Sequence, residues 1–317
     1  MGENVRVSFC ATNLNTIARL PSSIASIDAL GQGLGVPYEV VVADGPSDDG
    51  ARAWLEAKAR DDGDGDGRFR LVPHTEANRG YGRRKAFEAS RGSTVIPFDT
   101  SLEYAPLYSG LLRSYLSANT DRMLFSEICA LSRRSIEEAG GWRDVVGGED
   151  IDLYVRIVSK FGVIAWPTDL RPSQSARMSS FERQMRYVRG SKLRRLRRIY
   201  TVQRDQIIGA NFRVRDLMLF NRAKPFRQRA ALRAFFTLAY LGSRMRRIKP
   251  VQLGRSNYAL FREALLESIR RGDYRELVWD GPSPTLLLTA DEIGYLRTVL
   301  PRWNEYASAK PSWIATK

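Results

Sequence analysis

The stretch Thr94–Tyr104, TVIPFDTSLEY, ends an apolar, β-branched run on an acid, Asp99, and sets a second acid at Glu103. Val95, Ile96 and Phe98 read as a buried strand, because β-branched and aromatic residues fit a pleated, covered surface. A carboxylate at the tip of such a strand has a use. Hard oxygen ligands suit Mg²⁺ or Mn²⁺, and such an ion bridges the two phosphates of a nucleotide. The local alternative is that Asp99 or Ser101 caps the next helix.

The same grammar recurs upstream. Val5–Thr12 (VRVSFCAT), Tyr38–Asp44 (YEVVVAD) and Arg68–His74 (RFRLVPH) read as strands. Thr16–Gly31, Ala51–Arg60 and Gly82–Gly92 have helical spacing, with Pro21 expected to limit the regularity of the first. Strands alternating with helices predict an α/β domain on a mostly parallel sheet, where ligands bind beyond the carboxyl ends of the strands. Asp44 and Asp99 share that end. Gly45, after Asp44, lets a ligand approach the backbone, and the carboxylate can accept from a nucleobase imide or a ribose hydroxyl. The Asp/Gly run at Asp61–Gly67 lacks the spaced ligands and closing Glu of an EF-hand and reads as a solvated loop. Further on, Gly147 and Gly148 predict a flexible approach to Glu149 and Asp150, which open a helical segment. The helix dipole accounts for acids in that position, and a carboxylate facing the same cleft can also serve as a general base.

The composition bounds the rest. The 317 residues are 43% apolar, ample for a core, and the formal net charge of +15 points to an anionic partner. Near residue 175 the strand signals fade and arginine-rich helices take over, so the expected division is an α/β domain over 1–175 and a basic helical extension over 176–317. Leu193, Leu196, Ile199 and Tyr200 recur at helical spacing among Arg194, Arg195, Arg197 and Arg198, and Ala231–Gly242 has similar character. These helices either pack on the first domain or face an anionic membrane surface. Nucleic acid is disfavoured, since no known binding motif accompanies the charge. Thr289 and Glu292 form a capping-box pattern. Cys10 and Cys129 read as reduced, buried thiols, and His74 as structural. No secretory or myristoylation signal and no bilayer-length apolar run is evident, so the expectation is a cytoplasmic protein, peripheral at the inner face of the cell membrane.

Five segments in order carry a resemblance: Ser8–Asn15 (SFCATNLN), Val40–Gly50 (VVVADGPSDDG), Asn78–Gly92 (NRGYGRRKAFEASRG), Val95–Tyr104 and Gly140–Ile157 (GGWRDVVGGEDIDLYVRI). Over roughly residues 5–170 the sequence resembles the family 2, GT-A-fold nucleotide-sugar glycosyltransferases. The resemblance implies a Rossmann-like sheet with flanking helices and inverting transfer of a sugar from a nucleotide-diphosphate donor. It implies that Thr12 and Asn13 line the nucleotide pocket, that Asp44 takes the base-binding position, and that Arg79, Gly80 and Gly82 sit near the sugar and phosphates. Asp99 becomes the first acid of Asp-x-Asp and the metal ligand, and Asp150, beside Glu149, the base that deprotonates the acceptor. The basic helical extension suggests an acceptor presented at a membrane surface, a glycan or a lipid-linked glycan.

Two departures stand out. Ala43 replaces the first of two acids before the glycine. Ser101 replaces the second acid of Asp-x-Asp, and a hydroxyl is a far poorer ligand than a carboxylate. Ser101 or Glu103 can assist Asp99, the ion can be held by Asp99 with the diphosphate and water, or Arg79, Arg83, Arg84 and Lys85 can supply the positive charge instead. The reading adopted is a weakened metal site in a working enzyme. The alternatives are a binding or scaffold subunit of the same fold, or an RNA-binding protein using the arginine helices. Arg183, Arg186 and Tyr187 bear a faint likeness to the Gln-x-x-Arg-Trp motif of processive synthases, without its Gln and Trp.

Overall fold

The computed structural model describes residues 5–63, 67–167, 191–219, 221–222, 224–281, 284–308 and 314–316. A five-stranded sheet has the order β3 (Phe69–Pro73), β2 (Tyr38–Asp44), β1 (Val7–Asn13), β4 (Thr94–Asp99), β6 (Leu131–Ser132). All pairings are parallel except β4 with β6. The register sets Asn13 opposite Asp44 and Thr12 opposite Asp99, so three strand ends share one edge.

Alternation along β1 divides the molecule into two layers. Phe9 and Ala11, with Val40 and Val42 of β2, face α1 (Leu20–Gln32) and α4 (Tyr108–Ala118). Cys10, with Val41 and Ala43, faces α3 (Arg79–Ala89) and α6 (Glu149–Phe161). All seven residues of β2 are buried, as expected of a parallel strand covered on both faces. Of its two acids, Glu39 lies within the strand and is paired: it accepts from Ser8 Oγ at 2.7 Å and Arg91 Nε at 3.0 Å.

The strands read from sequence stand within a residue or two. Pro21 does not interrupt its helix but starts it: α1 begins at Leu20 and places the proline in the first turn, where an absent N–H costs nothing. The helix of Ala51–Arg60, α2, runs to Gly63, so the start of the Asp/Gly run is helical, and Asp62 Oδ2 accepts from Phe69 N at 2.5 Å to hold the entry to β3. Three short strands escaped the sequence reading: β5 (Met123–Phe125), paired in parallel with β7 (Val163–Ala165), and β6.

Beyond residue 190 the chain is mainly helical: α7 (Lys192–Ala210), α8 (Val214–Leu219), α9 (Phe226–Arg244) and α10 (Asn257–Arg271). A parallel pair, Leu286–Leu288 with Ile314–Thr316, was not foreseen among the helices. The Thr289–Glu292 capping box forms, with each side chain on the other residue's backbone N–H. The boundary expected near residue 175, and the Arg183–Tyr187 likeness, lie outside the described residues. The helices do share one core with the sheet: Ile207, Phe236, Phe261 and Tyr295 belong to the same buried cluster as Cys10, Trp142 and Leu153.

Candidate active site

The carboxyl edge of the sheet is organised by Asn13. Nearly fully buried, it donates from Nδ2 to Asp44 Oδ1 at 2.7 Å and accepts at Oδ1 from Thr100 Oγ1 at 2.8 Å. One amide thereby ties the tips of β1 and β2 to the turn after β4. Asp44 is wholly buried, and its carboxylate also accepts from Ser47 Oγ at 2.7 Å and Arg52 Nε at 2.5 Å.

Asp99 caps a turn rather than a helix. Its Oδ1 accepts from Ser101 N at 2.9 Å and Ser101 Oγ at 2.7 Å, and the next helix starts only at Tyr108. The hydroxyl that replaces the second acid is thus turned onto the first. Asp99 Oδ2 lies 3.8 Å from Arg79 Nη2, and the side chain is 36% exposed. Burial would push the Asp99 carboxyl up, but Arg79, the two bonds from Ser101 and Arg83 outweigh it and hold it below the usual range. Glu103 is exposed.

The glycines of Arg79-Gly80-Tyr81-Gly82 are packing devices. A Cβ on Gly80 would run into the backbone at Arg143 and Val145, and one on Gly82 into Thr12. They let the first turn of α3 reach the end of β1 and the 143–145 loop. Asn78 caps that helix, accepting from Tyr81 N at 3.1 Å. Arg79 is thereby aimed across the cleft, its Nε 3.1 Å from Glu149 Oε1.

Gly147 and Gly148 are likewise tight rather than flexible. A Cβ on Gly147 would meet Val202, and Gly148 takes φ +75° against Gln206 and Gly209 of α7. Val146 N donates to the buried Asp205 Oδ2 at 3.0 Å, which fastens the loop from the helical side. The loop delivers α6 with Glu149 and Asp150 in its first turn. Glu149 is buried, and burial pushes its carboxyl up despite the opposing Arg79. Asp150 is 27% exposed and doubly held, by Trp142 Nε1 at 3.1 Å and by the Arg83 guanidinium at 3.4 Å.

Arg83, Trp142, Thr100 and Arg198 escaped the sequence reading as organisers of this site. Arg83 is almost completely buried and donates from Nη1 to the carbonyls of Phe98 at 2.7 Å and Cys10 at 3.1 Å. Burial alone would lower its pKa; Asp150, Tyr154, Glu149 and Asp99 outweigh that and raise it, so it stays a cation. The fifth residue after Asn78 on an exposed-looking basic helix gave no such signal, and only the approach permitted by Gly82 brings it inside. Arg84 and Lys85, by contrast, turn away to Glu88 and Asp144. Arg198 of α7 donates to Ala77 O at 2.5 Å, beside the Asn78 cap. Asp152, two residues past Asp150, serves structure: fully buried, it binds Arg143 and Arg156. Cys10 is a free buried thiol pushed up to about 12 by burial, and Cys129 is also free. His74 stacks near Tyr81 with a centroid distance of 5.3 Å.

Residues 8–126 match the family model described as glycosyl transferase family 2. The matched segment carries the strands and helices that build the carboxyl edge, and the mostly parallel sheet with flanking helices is GT-A-like. Solved structures are similar to the chain at low identity. The mannosyltransferase PcManGT from Pyrobaculum calidifontis, in complex with GDP-Man and Mn²⁺, is 16% identical with a TM-score of 0.47, covering 75% of this chain and 86% of that one. Glucosyl-3-phosphoglycerate synthase from Mycobacterium tuberculosis, in complex with UDP, is 19% identical with a TM-score of 0.39, covering 50% and 67%. Mannosyl-3-phosphoglycerate synthase from Rubrobacter xylanophilus is 13% identical at a TM-score of 0.39, covering 50% and 63%. No curated protein matches the chain.

The donor atoms of the glycosyltransferase cleft set a limit on any divalent cation. Among the described residues no group of three or more His, Cys, Asp or Glu side chains is gathered to hold a metal. Asp99 offers one carboxylate oxygen, Oδ2, without a hydrogen bond. That set fits an ion shared with a diphosphate and water, a usual arrangement for Mg²⁺, and not one caged by protein.

Proposed function

We propose that the chain transfers a sugar from a nucleotide-diphosphate sugar to an acceptor hydroxyl or phosphate, with inversion at the anomeric carbon. The observation that carries the reading is the convergence of Asp99, Glu149 and Asp150 on Arg79 and Arg83 at the carboxyl edge of a family 2 sheet.

In this reading the nucleotide lies across the ends of β1 and β2. Thr12, Asn13 and Asp44 form the floor of its pocket, with the Asn13–Asp44 pair fixing the shape that the base meets. Arg79, half exposed and placed by Gly80 and Gly82, turns toward the diphosphate as it binds. Asp99 would hold a Mg²⁺ or Mn²⁺ ion, which would supply positive charge to neutralise the leaving phosphate. Asp150 accepts the proton of the acceptor hydroxyl. Trp142 and Arg83 hold its carboxylate in place. Attack from the side opposite the nucleotide inverts the configuration.

The acceptor reaches Asp150 from the side lined by α7, and a lipid-linked glycan is the acceptor class favoured by the basic helices. Incubation of the chain with the common UDP-, GDP-, CDP- and dTDP-sugars and a cell-derived lipid extract tests the reaction. One sugar nucleotide is expected to be consumed, with stoichiometric release of its diphosphate. Tight nucleotide binding without consumption of any donor would favour instead a binding subunit, the reading that the capture of Asp99 by Ser101 keeps open.

A further inference from the structure

Nine large apolar side chains are well exposed among the described residues, and six of them lie on two helices: Leu193 and Leu196 on α7, and Phe226, Leu238, Leu241 and Met245 along or just past α9. Their exposures run from 56% to 88%. On α9 they are not scattered. Phe226, Ala230, Ala234, Leu238, Leu241 and Met245 are all exposed and recur at steps of four or three, which confines them to about a third of the helix circumference. The opposite side, with Phe236, Ala239 and Ser243, is buried. The helix therefore carries, besides its buried face, an exposed apolar row that the protein does not cover, interspersed with Arg227, Thr237 and Arg244. Its 19 residues make a stripe about 28 Å long.

The charge around the stripe is of one sign. Helix α9 contains no acid, and Arg227, Arg229, Arg233 and Arg244 are exposed on it. The single acid of α7, Asp205, is buried and paired with Arg204 and Arg246. Tyr200 meets Phe235, and further along Asp205 meets Arg246, so the two helices run in the same direction and their exposed N-terminal ends lie together. An apolar row among unopposed arginines matches a bilayer surface with anionic headgroups: the side chains enter the acyl boundary and the guanidinium groups stay at phosphate level. A second copy of the chain would set arginine against arginine across the stripe. RNA would satisfy the arginines and leave the aliphatic row wet, since strands bind on aromatic platforms.

We infer that α7 and α9 form a docking face for an anionic lipid bilayer. The other side of α7 reaches the cleft: Arg198, half a turn from Leu196, donates to Ala77 beside the Asn78 cap. Docking there would bring Asp150 to acceptors held in the membrane. That purpose rests on the transferase reading, whereas the docking face does not.

The test is sedimentation of the full chain with vesicles of phosphatidylcholine alone and with about a third phosphatidylglycerol, at low and near-physiological salt. Binding to the anionic vesicles is expected to exceed binding to the neutral ones by at least about tenfold and to weaken with salt. Phe226→Ser with Met245→Ser, both at exposed positions, is expected to lose at least about tenfold of it. Arg227→Gln with Arg229→Gln and Arg233→Gln is expected to lose the salt-sensitive part. Equal pelleting on neutral vesicles, no pelleting, or wild-type binding by the Phe226/Met245 variant would overturn the inference. So would retention by RNA in place of vesicles, or a dimer in solution that the same variant dissolves. Nucleotide-induced stabilisation, measured on the same proteins, keeps the two readings apart. Its presence without vesicle binding removes only the docking face, and its absence with vesicle binding removes only the transferase.

Discussion

Asp150→Asn is expected to lower turnover by about 10³-fold while leaving nucleotide affinity within a factor of about three. The amide keeps the shape of the carboxylate and can still face Trp142 and Arg83, so the cleft should stay assembled. What disappears is the ability to take the acceptor proton. Steady-state kinetics and nucleotide titration on the same preparation check the split. A variant that turns over at near wild-type rate would remove Asp150 as the base. Glu149 is the obvious replacement, but it is buried and its carboxylate is paired with Arg79. It suits the role of a counter-charge that positions Arg79.

The second large effect is expected at Arg83. Its guanidinium joins the carbonyls of Cys10 in β1 and Phe98 in β4 to Asp150 while 5% exposed. Arg83→Met leaves two buried carbonyls without their donor and Asp150 without its cation, and should cost about 3–5 kcal/mol of stability. Arg83→Lys is the more informative change. An ammonium is a compact point charge and cannot reproduce a planar fork aimed at three oxygens. It should recover part of the stability and little of the turnover, with a kcat loss of about 10²-fold at nearly unchanged nucleotide affinity. Chemical denaturation and kcat measured together check this. Full recovery of kcat by lysine would reduce Arg83 to a source of charge.

How far the sequence foretold these residues depends on the distance over which each acts. Strand tips were legible, because apolar runs ending on Asp44 and Asp99 are local patterns, and parallel topology then brings them to one edge. The Glu149–Asp150 pair was legible for the same reason. Networks were not. That Asn13 would bridge Asp44 and Thr100, residues 31 and 87 positions away, is a matter of register between strands. Gly147 and Gly148 suggested flexibility because the helix that packs on them, α7, lies more than 50 residues on. Leu193 and Leu196 gave a helical period that says nothing about whether a partner covers it. Their exposure appears only once α9 and the core are in place.

The metal question is also a question of distance. Asp-Thr-Ser at positions 99–101 told of a missing carboxylate, but not that Ser101 would cap Asp99, nor that Arg79 would lie within 4 Å of the remaining oxygen. A site so arranged carries protein cations where a nucleotide's phosphates would come, and one free ligand oxygen for an ion that arrives with them.

The central claim, that this cleft holds a nucleotide diphosphate, is tested most directly by thermal unfolding with UDP, GDP, CDP and dTDP, each with Mn²⁺ and with EDTA. One nucleotide is expected to stabilise the chain. At 100 times its Kd the gain is about 2.7 kcal/mol. The gain should be larger with Mn²⁺ and persist in part with EDTA, since Arg79 and Arg83 remain. No stabilisation by any of the four, with or without the ion, would contradict the account.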